Sequence, residues 1–88
     1  MKLARVTGTV AATVKNAQMV SHTLLVCDLV DAKGKVTEAA IVAVDTVGAG
    51  KGEQVLISFG SAARLPTQTS GVPIDAVIVA IVDSVDIG

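Results

Sequence analysis

The sequence predicts an all-β protein, a small five-stranded antiparallel barrel. Three observations carry this expectation. Apolar and polar residues alternate with a period of two near the start of the chain. Later apolar runs are short, rich in Val and Ile, and separated by turns that contain glycine. The longest uninterrupted apolar run, Ala76 to Val82, falls far below the ~18 residues of a membrane-spanning helix, and its β-branched content favours a strand.

The first strand is expected from Arg5 to Lys15. Val6, Gly8, Val10, Ala12 and Val14 alternate there with Arg5, Thr7, Thr9, Thr13 and Lys15, so one face is assigned to the core and one to solvent. Gly8 falls in the inward set, where a glycine marks a bend or bulge of a tightly curved sheet. Asn16 to Ser21 reads as a connection. Thr23 to Val30 is the second strand, mostly apolar on both faces. Asp31-Ala32-Lys33-Gly34-Lys35 is a hairpin turn in which Gly34 supplies positive φ.

Ala39 to Val44 is the third strand, and the glycine-rich turn Val47 to Glu53 follows it. Gln54 to Phe59 is the fourth. Gly60 to Pro73 is irregular, and its centre, Pro66-Thr67-Gln68-Thr69-Ser70-Gly71, has loop composition. The fifth strand lies within Ile74 to Val85, with a helical turn at its start. Closing these strands into a barrel removes most exposed edges, which a sheet with so few charges cannot safely leave open. Phe59 is the only aromatic residue, so Val, Ile, Leu and Ala must fill the interior.

With 88 residues the chain is expected to be one domain, residues 1–88. A domain of this size buries only roughly 60–65% of its unfolded surface and needs a supplement. A disulfide cannot supply it, because Cys27 is the lone cysteine. A structural zinc cannot either, since His22 and Cys27 fall short of the about four ligands of a closed site. Oligomerisation remains. Charged residues make up 17%, against about 25% in ordinary soluble domains, which points to surface covered by neighbours. The net charge of −1 gives no electrostatic reason to bind nucleic acid or an anionic membrane. The opening residues lack the apolar stretch of a signal peptide, so a cytoplasmic protein with a reduced Cys27 is expected.

No candidate chemistry survives its plainer reading. His22 has no carboxylate placed behind it by any pattern, and a lone loop histidine is a surface residue by default. Cys27 sits in an apolar strand, where an inert buried thiol is the default. Phe59-Gly60-Ser61-Ala62-Ala63 does not match the G-x-S-x-G nucleophile elbow. Gly48-Ala49-Gly50-Lys51-Gly52 resembles a phosphate cradle only superficially. Gly52 stands where a P-loop requires Ser or Thr, and Glu53 occupies the last position of G-x-G-x-x-G. A tight turn is the better reading. Asp28, Asp31, Asp45, Asp75, Asp83 and Asp86 are spread without metal-loop spacing and read as solvated turn residues.

Four segments, in order, are similar to the vertex proteins of bacterial microcompartment shells, the family of the carboxysome and ethanolamine-organelle vertex proteins. These are the opening Met1 to Val10, the turn region Ala43 to Leu56, Gly60-Ser61-Ala62-Ala63-Arg64, and Pro73 to Asp83. Together they cover nearly the whole chain. The resemblance implies a barrel of the oligonucleotide/oligosaccharide-binding type assembled as a cyclic pentamer. It implies a structural protein of the shell, with no enzymatic activity, cofactor or metal. The partners it implies are further copies of the chain and the hexameric proteins that tile the shell facets. It marks Asp45, Gly48, Gly50, Gly60, Ser61 and Arg64 as structural-motif or subunit-interface positions. Arg64, on irregular backbone between two strands, reads either as a solvated loop arginine or, the reading preferred here, as a planar donor to backbone carbonyls or a carboxylate across the interface. A flat hexagonal sheet cannot close, and a five-fold unit in place of a six-fold one creates the curvature of a corner. The main alternative is a single-stranded nucleic-acid-binding barrel, which needs stacking aromatics and a basic groove that this composition lacks. A small enzyme or ligand carrier is a second alternative and would need a deep pocket within the subunit.

Overall fold

In the computed structural model the described residues are 1–12, 22–64 and 74–86, with the backbone alone described for Ala62 and Arg64. Five strands form: β1 (Lys2–Thr9), β2 (Thr23–Val30), β3 (Val36–Asp45), β4 (Gln54–Phe59) and β5 (Ala76–Ile81). They close into a barrel in the order β1-β2-β3-β5-β4. The second and fourth strands coincide with the sequence expectation. The third starts earlier, and the fifth is confined to the centre of its expected range. The helical turn expected before β5 lies elsewhere: a 3-10 helix, Gly60–Arg64, opens the stretch read as irregular.

Four neighbouring pairs are antiparallel, and β3 runs parallel to β5. The wholly antiparallel barrel expected from the sequence therefore departs from the structure at this one seam. The reason is parity. Directions alternating around a closed ring return to their starting sense only for an even number of strands, so five strands must include one parallel pair. The seam is short, with Val44 opposite Val77 and Asp45 opposite Ile78.

The first strand ends at Thr9 rather than Lys15, and its facing changes midway. Val6 lies opposite Cys27 and Gly8 opposite Val26, so Thr7 is an extra residue and the pair is bulged there. The bulge expected at Gly8 is present. Its consequence is that alternation resets, so Ala4 and Val6 are buried while Gly8 turns to the outer face with Val26. The expected inward set therefore fails beyond Val6. Ala12 is exposed, and Val14 lies outside the described residues.

The 31–35 turn forms as its composition dictates. Asp31 Oδ1 accepts the Lys33 and Lys35 amides, both at 2.9 Å, and Gly34 takes φ 87°. A second irregularity lies in β3, where Leu29 pairs with Glu38 but Cys27 with Ile41. Ala40 is the bulged residue, with φ 62°, and its amide donates to Asp28 Oδ1 at 3.1 Å.

The barrel has an inner and an outer apolar cluster. Ala4, Val6, Leu25, Cys27, Leu29, Ala43, Val55, Ile57, Ala76 and Ile78 fill the inside, with Ile41, Ala49 and Phe59 packed against them. On the outside of the β3–β5 seam, Val44, Val77 and Ala63 pack with Leu24, Ile74 and Val79. The 3-10 helix is thus held by Ala63, which buries completely against the outer face of the seam.

Candidate functional site

The glycine turn between β3 and β4 is built by two carboxylates that accept backbone amides. Asp45 ends β3, half-buried. Its Oδ1 accepts the Val47 amide and its Oδ2 the Ala49 amide, each at 3.0 Å. Glu53 Oε1 accepts the Gly50 amide at 2.6 Å, and the Glu53 amide donates to the Gly50 carbonyl at 3.1 Å. Gly48 takes φ 78°, a backbone region costly for any residue with a Cβ. The turn is then tied to the bulged part of β1, because Gly52 donates to the Val6 carbonyl at 2.8 Å and Val6 to the Glu53 carbonyl at 2.9 Å. Thr46 Oγ1 donates to the Ile78 carbonyl at 2.7 Å, which fixes the same turn to β5.

This geometry disposes of the phosphate-cradle reading. A cradle needs free amides aimed at an anion. The Val47, Ala49 and Gly50 amides already serve the Asp45 and Glu53 carboxylates, whose negative charges would also repel a phosphate. Asp45 acts on its own backbone as the acceptor of an extended Asx turn.

The second motif leaves β4 at Gly60, which takes φ 64° and donates its amide to the Asp75 carbonyl at 2.9 Å. Ser61 is exposed, and Ala63 is buried against Val44 and Val77. Arg64 ends the 3-10 helix, and its side chain lies outside the described residues. The two motifs therefore flank the β3–β5 seam from its two ends. Asp45, Gly48 and Gly50 shape the turn at the exit of the β3–β5 seam, while Gly60 and the 3-10 helix brace the entry to β5. Asp28, expected to be a solvated turn residue, instead lies half-buried within β2, and sequence reasoning missed its partner Ala40. A half-buried aspartate on β2 bonded to a strained alanine on β3 leaves no motif behind, because the two are brought together only by strand pairing.

Cys27 is fully enclosed in the inner cluster. Burial raises its thiol above the ordinary cysteine range, and the nearby Asp28 and Asp45 charges push the same way. Such a thiol is a poor nucleophile. Among the described residues no three His, Cys, Asp or Glu side chains gather as metal ligands would.

Taken with this architecture, the comparisons with known proteins agree on one class, the shell proteins of bacterial microcompartments. The family model described as "Ethanolamine utilisation protein EutN/carboxysome" matches residues 1–83. The chain belongs to that family. It is 40% identical over 88 residues to the bacterial microcompartment shell vertex protein EutN of Salmonella typhimurium, covering all of this chain and 89% of that protein. The solved structure of Gloeobacter violaceus CcmL superposes with a TM-score of 0.91 at 41% identity, covering 99% of this chain and 90% of that one. GrpN, a pentameric microcompartment shell protein from Rhodospirillum rubrum, superposes with a TM-score of 0.83 at 43% identity, covering 98% and 96%. The relatives are structural shell proteins, which leaves the nucleic-acid alternative without support.

Proposed function

We propose that this chain, folded as a single domain, assembles into a closed ring of five that caps the vertices of a microcompartment shell and so allows the polyhedron to close. The observation that carries this reading is the match to a pentameric shell protein along nearly the full length of both chains. Composition agrees with it, since an 88-residue barrel with 17% charged residues benefits from covering part of its surface with neighbours.

The role is geometric and involves no catalysis. Hexameric proteins tile the flat facets, and this ring meets their edges at the corners, within the shell in the cytoplasm. Asp45, Gly48 and Gly50 serve the ring by holding the turn in shape, and Gly60 by starting the 3-10 helix. Ser61, exposed on that helix, and Arg64 at its end are proposed as additional contacts with a neighbouring subunit.

Native mass spectrometry tests the ring, with an expected species of about 44 kDa, five times the 8.8 kDa chain. A stable monomer at micromolar concentration refutes it. Electron microscopy of a strain lacking the protein tests the role, with intact facets and elongated or open shells expected. Normal closed shells refute it.

A further inference from the structure

The outer face of the barrel is apolar well beyond the part that the 3-10 helix covers. Inner and outer residues alternate along β2 and β3, so Leu25 and Cys27 point in while Leu24 and Val26 point out. Near the seam, Leu24 and Val44 lie beneath Ala63 and Ile74. One row further from the seam, Gly8 lies opposite Val26 and Val26 opposite Val42. These three residues carry no polar side chain, and Thr7, the extra residue of the bulge, lies beside them with its hydroxyl donated to the Val26 carbonyl at 3.1 Å. Gly8 keeps the row shallow, since a Cβ there would already touch Val26 Cγ1 at 3.4 Å. Among the described residues nothing covers Val42, which is 48% exposed.

The row ends at an open strand edge. β3 pairs with β5 only at Val44 and Asp45, so from 36 to 43 its second edge carries no strand among the described residues. Exposed edges are ordinarily protected by charge or proline. This one has Glu38 as its sole charged residue, and it displays Val36 at 46% exposure as well as Val42. The strained Ala40 bulge sits between those two valines, held by Asp28. Strain of this kind persists where the surroundings enforce it and often marks a working surface.

A head-to-tail ring requires two different patches on each copy, whereas a two-fold dimer needs one that matches itself. A second patch is present. Ile81 and Val85 are exposed at and beyond the end of β5. Because β3 and β5 run parallel and overlap only at the seam, the unpaired stretch of β3 precedes the overlap and the end of β5 follows it. The two patches therefore project from opposite ends of the seam, as head-to-tail contact demands.

We propose that the Gly8–Val26–Val42 row and the adjoining edge of β3 form one half of the contact between copies, and that the Ile81–Val85 patch of the next copy forms the other half. This inference rests on the ring reading above and specifies which surfaces meet.

The experiment compares the unmodified chain with Val42→Asp and Ile81→Asp by native mass spectrometry and circular dichroism, and then mixes the two variants. Each variant alone is expected to be monomeric with the barrel's strand signal retained. Each still carries one intact half, so the equimolar mixture is expected to form dimers that cannot grow into a ring. Val42→Thr, which keeps the shape and strand propensity of valine, guards against misfolding and is expected to raise the concentration at which rings dissociate by about tenfold or more. Rings that persist in Val42→Asp at the unmodified chain's dissociation concentration overturn the assignment, as does a mixture that stays monomeric. Failure of the unmodified chain to form rings of five would instead overturn the proposed function itself.

Discussion

Replacing Asp45 by alanine removes a carboxylate that holds two backbone amides, those of Val47 and Ala49, at 3.0 Å. Hydrogen bonds to charged groups contribute about 1.5–3 kcal/mol each when well shielded. The Val47 amide belongs to an exposed residue and can turn to water, so its loss counts little. Ala49 is half-buried and packs against the inner core, so its amide is the one left poorly served. A cost of about 2 kcal/mol follows. For a domain of this size that lowers the thermal midpoint by about 8–16 °C. Asp45→Asn keeps one acceptor oxygen and is expected to lose about half as much. The assay is thermal or urea unfolding followed by circular dichroism at fixed protein concentration, because ring formation makes the midpoint depend on concentration. A fall below about 4 °C for Asp45→Ala, or equal falls for both variants, would refute the claim that this carboxylate organises the turn.

Ala40 offers a test of opposite sign. With φ at 62° it gains from losing its Cβ, so Ala40→Gly is expected to stabilise the fold by about 0.5–1 kcal/mol after the entropy of the freer unfolded chain is deducted, whereas Ala40→Val is expected to destabilise it by more than that; urea midpoints of the two variants read both. Cys27 should resist thiol reagents at pH 8 in the folded protein and react fully in urea. Its folded pKa is raised from the ordinary value of 9.0, so the unfolded chain loses its proton first, and the contribution present below pH 9 is lost as pH climbs toward the folded value. Unfolding midpoints measured from pH 7 to 10 should fall at the alkaline end for the native chain, and by less for Cys27→Ala.

Much of this protein was legible in its residues alone. The β-branched runs located β2 and β4 to the residue, because those strands are bounded by sharp turns whose chemistry is local. Asp31 and Gly34 specify their hairpin without outside help, and Asp45 with Gly48 does the same for the glycine turn, since the carboxylate reaches amides only two and four residues on. The microcompartment family was also legible, through motifs spread along the whole chain. Properties created by pairing were not. The parallel β3–β5 seam follows from closing an odd number of strands, and no single segment carries that information. The facing of Gly8 depends on whether Thr7 is spared a partner on β2, which only the register reveals. Ala40 looks like any strand alanine until Asp28, twelve residues earlier, is placed beside it. The outer row of Gly8, Val26 and Val42 exists only because three strands distant in sequence lie side by side. Local chemistry chose the turns and strands, and closure of the barrel decided which of their apolar residues were left facing outward.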